Sequence, residues 1–504
     1  MLRFENLSAD PALDWMGRAL SETLAFQLGR PGEAGVIPPG ALRSSDRARQ
    51  APGISSEHEA ALAAGANRVL YGYFTRRGQR IELVVIAEGG RSEAVSASGA
   101  TVLAAADAAA RRLAANARPF ATRSEEALQA YVSALEASEP EAARAAFERA
   151  AAADPNFGHP SLWQALGEAD FFARRYRSAA AKLLKAHALE PSGGLPLNSA
   201  GYALAWAGDL EGAKRALEQY GRVAGGANPL DSLGDVHLRF GRFEEARRYY
   251  LEAFEKDPQF LNGGPLLKAV YAELMAGRAA AAGDLMTRYL EVRTKARDPL
   301  VEHRRAEWEY MTGQTGKAAE RLERHARSLG GAAPELAALA YSELAVWELL
   351  RGDRARARRH ALDSGEPAML LLTEPPASAA EWAARAERLA LAPAAKRQAL
   401  VYGLLLSKNF RAAARELEQL AGQADPASEG ALQALLAWAL VESGQPKEAA
   451  RRLQYYPVPE VAGPAIFGAL WFPRILELRA LLLNPGRDTR APAASRRRPG
   501  ARRA

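Results

Sequence analysis

Two stretches of this 504-residue chain carry residue types whose spacing could do chemistry. Gly313-Gln314-Thr315-Gly316-Lys317 has the glycines, hydroxyl and lysine of a phosphate cradle. A cradle of that kind needs four residues between its glycines and a strand leading into it. Neither is present, so the stretch reads as a turn between helices. Asp231, Asp235 and His237 look metal-like until the helix is wound. The aspartates then share a face and His237 points away from Asp231, which leaves no converging ligand set. The seven histidines include no His-Glu-x-x-His or other close pair. No serine stands in a nucleophile-elbow context, and no pair of carboxylates stands out from a heavily charged helical surface. The expectation is a chain with no catalytic residues, no cofactor and no metal site.

Composition supports that reading. Without cysteine there is no disulfide, thiolate nucleophile or zinc–thiolate site. At 48% hydrophobic and 25% charged residues the balance is that of ordinary soluble proteins, and the length calls for at least two structural units. The formal charge of +7 invites a nucleic-acid reading, yet residues 487–504 hold seven arginines against one aspartate and so supply six of those charges. The remainder is close to neutral and exerts no net pull on phosphate. The first residues, Met1-Leu2-Arg3-Phe4-Glu5, lack the apolar run of a signal peptide, and the most apolar late segment, 465–483, is interrupted by Arg474, Glu477 and Arg479. No membrane span is expected.

The elements that position these residues repeat. A glycine, or once an asparagine, precedes an alanine by five residues at Gly208/Ala213, Gly241/Ala246, Gly277/Ala282, Gly313/Ala318, Gly352/Ala357, Asn409/Ala414 and Gly444/Ala449. The intervals lie near a period of about 34 residues, the length of one helix hairpin whose glycine ends the first helix and whose alanine lets the second pack closely. Trp163, Leu166, Gly167, Ala179, Ala186 and Pro191 stand at the usual tetratricopeptide offsets, as do Leu233, Gly234, Gly241, Ala246, Tyr250, Ala253 and Pro258. An earlier unit shows Ala143, Phe147, Ala150 and Pro155. On these residues the chain resembles tetratricopeptide-repeat proteins. The resemblance implies an all-α solenoid, a right-handed superhelix of helix hairpins, over residues 124–363 and again over 395–485. Between them, residues 364–394, with Pro367, Pro375 and Pro376, are the least regular stretch, where a break or bend is expected.

Residues 1–120 do not follow the repeat and read as a small α/β domain. Asp10 caps a helix whose Leu13, Met16, Leu20, Leu24 and Leu28 share one face. A short strand is expected near residues 35–37, a hairpin over 68–76 and 79–87 joined at Gly78, a weaker strand over 91–97, and a helix over 101–116. Gly72 and Gly78 read as a strand kink and a turn. The run Phe4-Glu5-Asn6-Leu7-Ser8-Ala9-Asp10, with Trp15-Met16-Gly17 and Leu70-Tyr71-Gly72-Tyr73, resembles the TolB-like amino-terminal domain found before tetratricopeptide arrays in bacterial regulatory proteins. That family carries a fuller strand before Phe-x-Asn-Leu-Ser, so a truncated start, with a kinase, cyclase, DNA-binding or membrane segment upstream, is an expectation of the resemblance.

Such an array works through its inner wall, and the resemblance places there Gln164, Glu168 and Phe171; Asn198 and Tyr202; Asp231 and Asp235; Leu267 and Tyr271; and His303, Glu307 and Tyr310. This acidic, amide and aromatic set lacks the Lys/Asn clamp that tetratricopeptide proteins use for acidic carboxyl-terminal peptides. The implied partner is a basic or amphipathic protein segment. Trp163, Trp206, Trp308, Trp347 and Trp438 lie on the first helices and read as packing residues. The Arg-rich tail, 486–504, reads as a disordered, solvated segment, with contact to nucleic acid or anionic lipid as the lesser alternative. The expected function is a non-catalytic scaffold in bacterial signalling or regulation, cytoplasmic, or periplasmic if the start is truncated. The alternative is the regulatory portion of a larger kinase or cyclase system.

Overall fold

A computed structural model describes residues 1–29, 36–37, 65–89, 93–373, 379–389, 393–423, 426–461, 463 and 468–483. Among them a four-stranded sheet accompanies 23 α-helices, divided into two compact units, residues 1–224 and 225–504. The Arg-rich tail, Gly35, Pro375 and Pro376 lie outside the described residues.

In the first unit β1 (Glu5–Asn6) runs parallel to β2 (Val69–Arg77), with Glu5 opposite Tyr73, while β2, β3 (Arg80–Glu88) and β4 (Glu93–Gly99) form an antiparallel meander. Period-two alternation turns Ile81, Leu83, Val85 and Ala87 inward. Gly72 is required by space, since a Cβ there would lie 1.9 Å from the Val84 carbonyl oxygen. The Asp10 carboxylate accepts from Ala12 N at 3.0 Å and caps the short turn before α1 (Trp15–Leu28). Leu13, Met16, Leu20 and Leu24 share a core with the sheet and with α2 (Val102–Leu113). Val36 and Ile37 form no strand.

Three hairpins follow: α3 (Glu125–Glu136) with α4 (Pro140–Ala153), α5 (Pro160–Phe172) with α6 (Tyr176–Leu189), and α7 (Leu195–Trp206) with α8 (Leu210–Ala224). The apolar core runs without interruption from the sheet through Phe120 into α3 and α5. Phe26, Phe120, Phe157, Tyr131 and His159 form one ring cluster. Arg118 lies over Phe26 at 3.8 Å and donates to its carbonyl.

The second unit holds α9 (Asn228–Arg239) with α10 (Phe243–Lys256), α11 (Gly264–Met275) with α12 (Ala279–Lys295), α13 (Val301–Met311) with α14 (Thr315–Leu329), and α15 (Pro334–Arg351) with α16 (Arg354–Ser364). Two short helices, α17 (Pro367–Thr373) and α18 (Ala379–Glu387), take the place of a full hairpin. Then come α19 (Pro393–Leu406) with α20 (Phe410–Gln423), α21 (Pro426–Glu442) with α22 (Pro446–Arg452), and a last helix, α23 (Gly468–Leu483).

Eight of these hairpins share one turn. A left-handed residue, at Arg174, Gly208, Gly241, Gly277, Gly313, Gly352, Lys408 and Gly444, closes the first helix. The following N–H returns to a carbonyl five residues back, as in Asp209 N to Leu204 O and Gln445 N to Leu440 O. Five residues after each left-handed position stands a fully buried alanine, from Ala179 to Ala449. One register differs from the sequence expectation: Lys408 (φ 61°), not Asn409, is the left-handed residue, and Ala413 takes the place assigned to Ala414. The Ala412-Ala413-Ala414 run fits either spacing, and hydrogen-bond closure decides: Asn409 N reaches Leu404 O at 2.8 Å.

Candidate binding surface

Four residues before the turn, the first helix repeatedly carries a buried acid whose charge is met by its own hairpin or the one before. Asp170 accepts from Arg175, Ser178 and Lys182; Glu309 from Lys317 and Arg321; Glu348 pairs with Arg351 and Arg356; Glu273 with Arg278 and Arg247. Burial alone would raise the pKa of Asp170 and Glu309, but these donors outweigh it and hold both below the ordinary carboxylate range. The acids latch helices together and are not available to a ligand. Sequence reasoning missed them, although the spacing of an acid four residues before the turn was there to be read.

In the first unit the expected wall residues lie on α5 and α7, which touch one another directly. Gln164, Glu168, Phe171, Asn198 and Tyr202 are all half-buried. Gln164 donates to Glu168 at 3.0 Å. Phe171 contacts Phe172, Tyr176 and Trp206, and Tyr202 contacts Trp206, so the ends of the two helices carry one aromatic cluster. Phe172 at its margin is 65% exposed. A carboxylate and an amide beside accessible rings can hold an amphipathic segment with a cationic end.

In the second unit six of the seven expected residues are buried, and Tyr310 is half-buried against Trp347. Asp231 and Asp235 share the Lys268 ammonium at 2.7 and 2.8 Å, and Tyr250 donates to Asp235. Burial, and then the charge of Asp235, push Asp231 up to about 7 against the opposing pull of Lys268. His237 packs on Tyr249 instead of joining the aspartates. His303 Nε2 lies 2.6 Å from Glu343, and Arg304 donates to Glu307 at 2.9 Å. Burial and the charge of Glu307 raise Glu343 to about 7. For His303, burial favours the neutral ring, but the Glu343 bond and the acidic neighbours outweigh it and raise its pKa. The wall thus holds Lys268 and Arg304 as well as acids, which corrects the expectation of an acidic, amide and aromatic set. His303, Glu307 and Glu343 present donor atoms within 4.8 Å of one another, a metal-like spacing, but His303 Nε2 and Glu343 are bonded to each other and Glu307 accepts from Arg304.

Part of what covers this wall is the chain itself. Between α22 and α23 an extended segment passes three first helices in succession. Tyr456 N donates to Arg239 O at 2.9 Å, at the end of α9. Tyr455 meets Phe240 edge-on under the Arg239 guanidinium, and Tyr456 meets Phe243. Val461 abuts Gly264 at the start of α11, and Arg304 on α13 donates to the carbonyls of Val461 and Gly463 at 3.1 and 2.6 Å. Helix α23 then packs on α21 and α13, with Phe472 against Tyr271 and Arg474 over Trp438. No local signal in the sequence marks these contacts.

The five tryptophans expected in packing roles divide. Trp163, Trp347 and Trp438 are buried, and Trp163 donates to Phe157 O at 2.7 Å, whereas Trp206 and Trp308 are half-buried. Gly313 and Lys317 sit in the turn and first residues of the α13/α14 hairpin, with Lys317 paired to Glu309.

These features define a helix-hairpin repeat protein with a small sheet-bearing amino-terminal part. No protein-family model matches the chain, and no curated protein does. Among solved structures it is similar to Pseudomonas aeruginosa PilF, at 18% identity over 40% of this chain and 89% of that one with a TM-score of 0.29. It is also similar to yeast Tom70, at 16% identity over 67% and 70% with a TM-score of 0.35. Human IFIT1 in a dimer with m7Gppp-AAAA gives 12% identity over 65% and 70% with a TM-score of 0.31. Scores of this size establish no common overall arrangement, and the repeat reading rests on the hairpins' own geometry. No helix among the described residues is long and apolar enough to cross a membrane.

Proposed function

We propose that this chain is a non-catalytic protein-interaction scaffold: a tetratricopeptide-like solenoid behind a TolB-like amino-terminal domain, acting in bacterial signalling or regulation. The supporting observation is the half-buried wall of α5 and α7, where Gln164, Glu168, Phe171, Asn198 and Tyr202 stand beside the exposed ring of Phe172. Its partner is a basic or amphipathic protein segment, whose apolar face meets the rings and whose cations meet Glu168. In the second unit the charges of Asp231, Asp235 and Glu307 are met within the chain, so a basic partner gains less there.

The test compares the immobilised full chain with its Glu168→Arg/Phe172→Ala variant, using a partner first identified by mass spectrometry. Binding measured by calorimetry should weaken at least tenfold in the variant, while its melting profile stays that of the parent. Equal affinity for both chains would remove this wall as the docking surface.

A further inference from the structure

Residues 453–461 and Gly463 lie in the second unit as a peptide ligand would. The segment is tethered at both ends, to α22 and α23, and is held partly through its main chain: one N–H to Arg239 O, and two carbonyls to Arg304. Arg304 is itself buried and fixed by Glu307, so its guanidinium is pre-aimed. The side chains that reach the wall are two adjacent tyrosines and two valines, Val458 packing on the cluster of Leu238 and Ala246, with Pro457 and Pro459 buried between them. Proline pre-sets an extended backbone, which lowers the entropy lost on docking. Main-chain recognition of this kind does not depend on whether the segment belongs to the same chain.

We propose that the surface formed by α9, α10, α11 and α13 is a second peptide-binding site whose resident occupant is the chain's own strap, and that its ligand is a partner segment of the same chemistry. That chemistry is an extended stretch with two adjacent aromatic residues and a following Pro-x-Pro, with no charge from Tyr455 to Pro459. Such a ligand binds by displacing residues 453–461 while α23 stays in place. The proposal rests on the scaffold reading, but it concerns a different surface from the one formed by α5 and α7.

The probe is a fluorescein-labelled peptide with the sequence of residues 453–463, titrated against the full chain and followed by polarisation. Three proteins are compared. In the Tyr455→Ala/Tyr456→Ala variant the strap loses both ring contacts, and the peptide should bind at least tenfold more tightly than to the parent. The third is Gly264→Cys/Val461→Cys. A Cβ at Gly264 would lie 3.6 Å from Val461 Cβ, within the range that a disulfide spans, and the chain has no other cysteine. Oxidised, this variant should not bind the peptide; reduced, it should bind at least as well as the parent. If the tyrosine variant fails to fold, hydrogen exchange of the parent decides, because saturating peptide should accelerate exchange at Tyr456. Absence of binding to a folded tyrosine variant, binding to the oxidised double cysteine, or unchanged exchange at Tyr456 in that fallback would each overturn the proposal. Any of these leaves the comparison at Glu168 and Phe172 untouched, and loss of that comparison leaves this one intact.

Discussion

Asp231 and Asp235 lie one helical turn apart around a single ammonium, and their environments separate them. Asp235 accepts from both Lys268 and Tyr250, whereas one oxygen of Asp231 has no hydrogen-bond partner. Two buried carboxylates facing one lysine cannot both ionise cheaply, and Asp231 is the one raised to about 7. A carboxyl whose folded pKa is raised stabilises fully below its unfolded pKa, and that stability is lost as pH rises through the folded value. Glu343 and His303 are raised as well and act in the same sense. The two carboxyls should therefore cost the second unit stability between about pH 4 and pH 7, and His303 should add to that loss above about pH 6.5. Asp231→Asn keeps an acceptor for Lys268 without needing a proton. Calorimetry should show a gain of about 1 kcal/mol at pH 8, roughly 2–4 °C, and none at pH 4. Asp235→Asn should instead cost about 3 kcal/mol at either pH. Equal losses for the two variants at pH 8 would mean that both aspartates are ionised.

At the scale of the hairpin, the left-handed turn residue is a quantity that can be tuned. Lys408 is exposed and pays the steric cost of a positive φ that glycine avoids. Lys408→Gly should stabilise by about 0.5–1 kcal/mol, while Asn409→Gly, one residue beyond the turn position, should not. Gly352 is the reverse case: φ is 89° and nothing lies within 4 Å of where a Cβ would stand. Gly352→Ala should thus cost about 1 kcal/mol from backbone conformation alone, read as a shift in the urea midpoint at constant slope. A neutral Lys408→Gly together with a stabilising Asn409→Gly would restore the register expected from sequence. That register shows where local pattern stops being legible. Six turns were readable because glycine marks the left-handed position, β2 because it is rich in Val, Leu, Tyr and Phe before the Gly78 turn, and β3 and α1 because their apolar periods are clean. The turn at Arg174 was not, and that at Lys408 was placed one residue late at Asn409, since nothing in a lysine or arginine announces a positive φ. The α5 and α7 residues come from the tetratricopeptide resemblance, and their binding role is a proposal. The Lys268 pairing and the strap's contacts with Arg239 and Arg304 were not legible, because those partners lie from 33 residues (Lys268 to Asp235) to 217 residues (Tyr456 to Arg239) apart.

For the molecule as a whole, the carboxyl-terminal segment decides whether the second unit is an open array or a filled one. Phe472, Ile475 and Leu478 of α23 are buried in the same apolar cluster as Leu267, Tyr271, Trp382 and Trp438. Removing three such side chains from water contributes about 5–9 kcal/mol. That is comparable to the entire net stability of a typical domain. A chain ending at Arg452 loses these contacts together with the strap, and exposes the faces of α13 and α21 that α23 covers. Its second unit should therefore lose its cooperative calorimetric transition and be cut by protease within residues 225–452, whereas residues 93–224 stay uncut. A chain ending at residue 485, without the Arg-rich tail, should melt as the full chain does. If the chain ending at Arg452 keeps its cooperative transition, the hairpins from α9 to α22 are self-sufficient, and the filling of the wall by α23 is not what holds the second unit together.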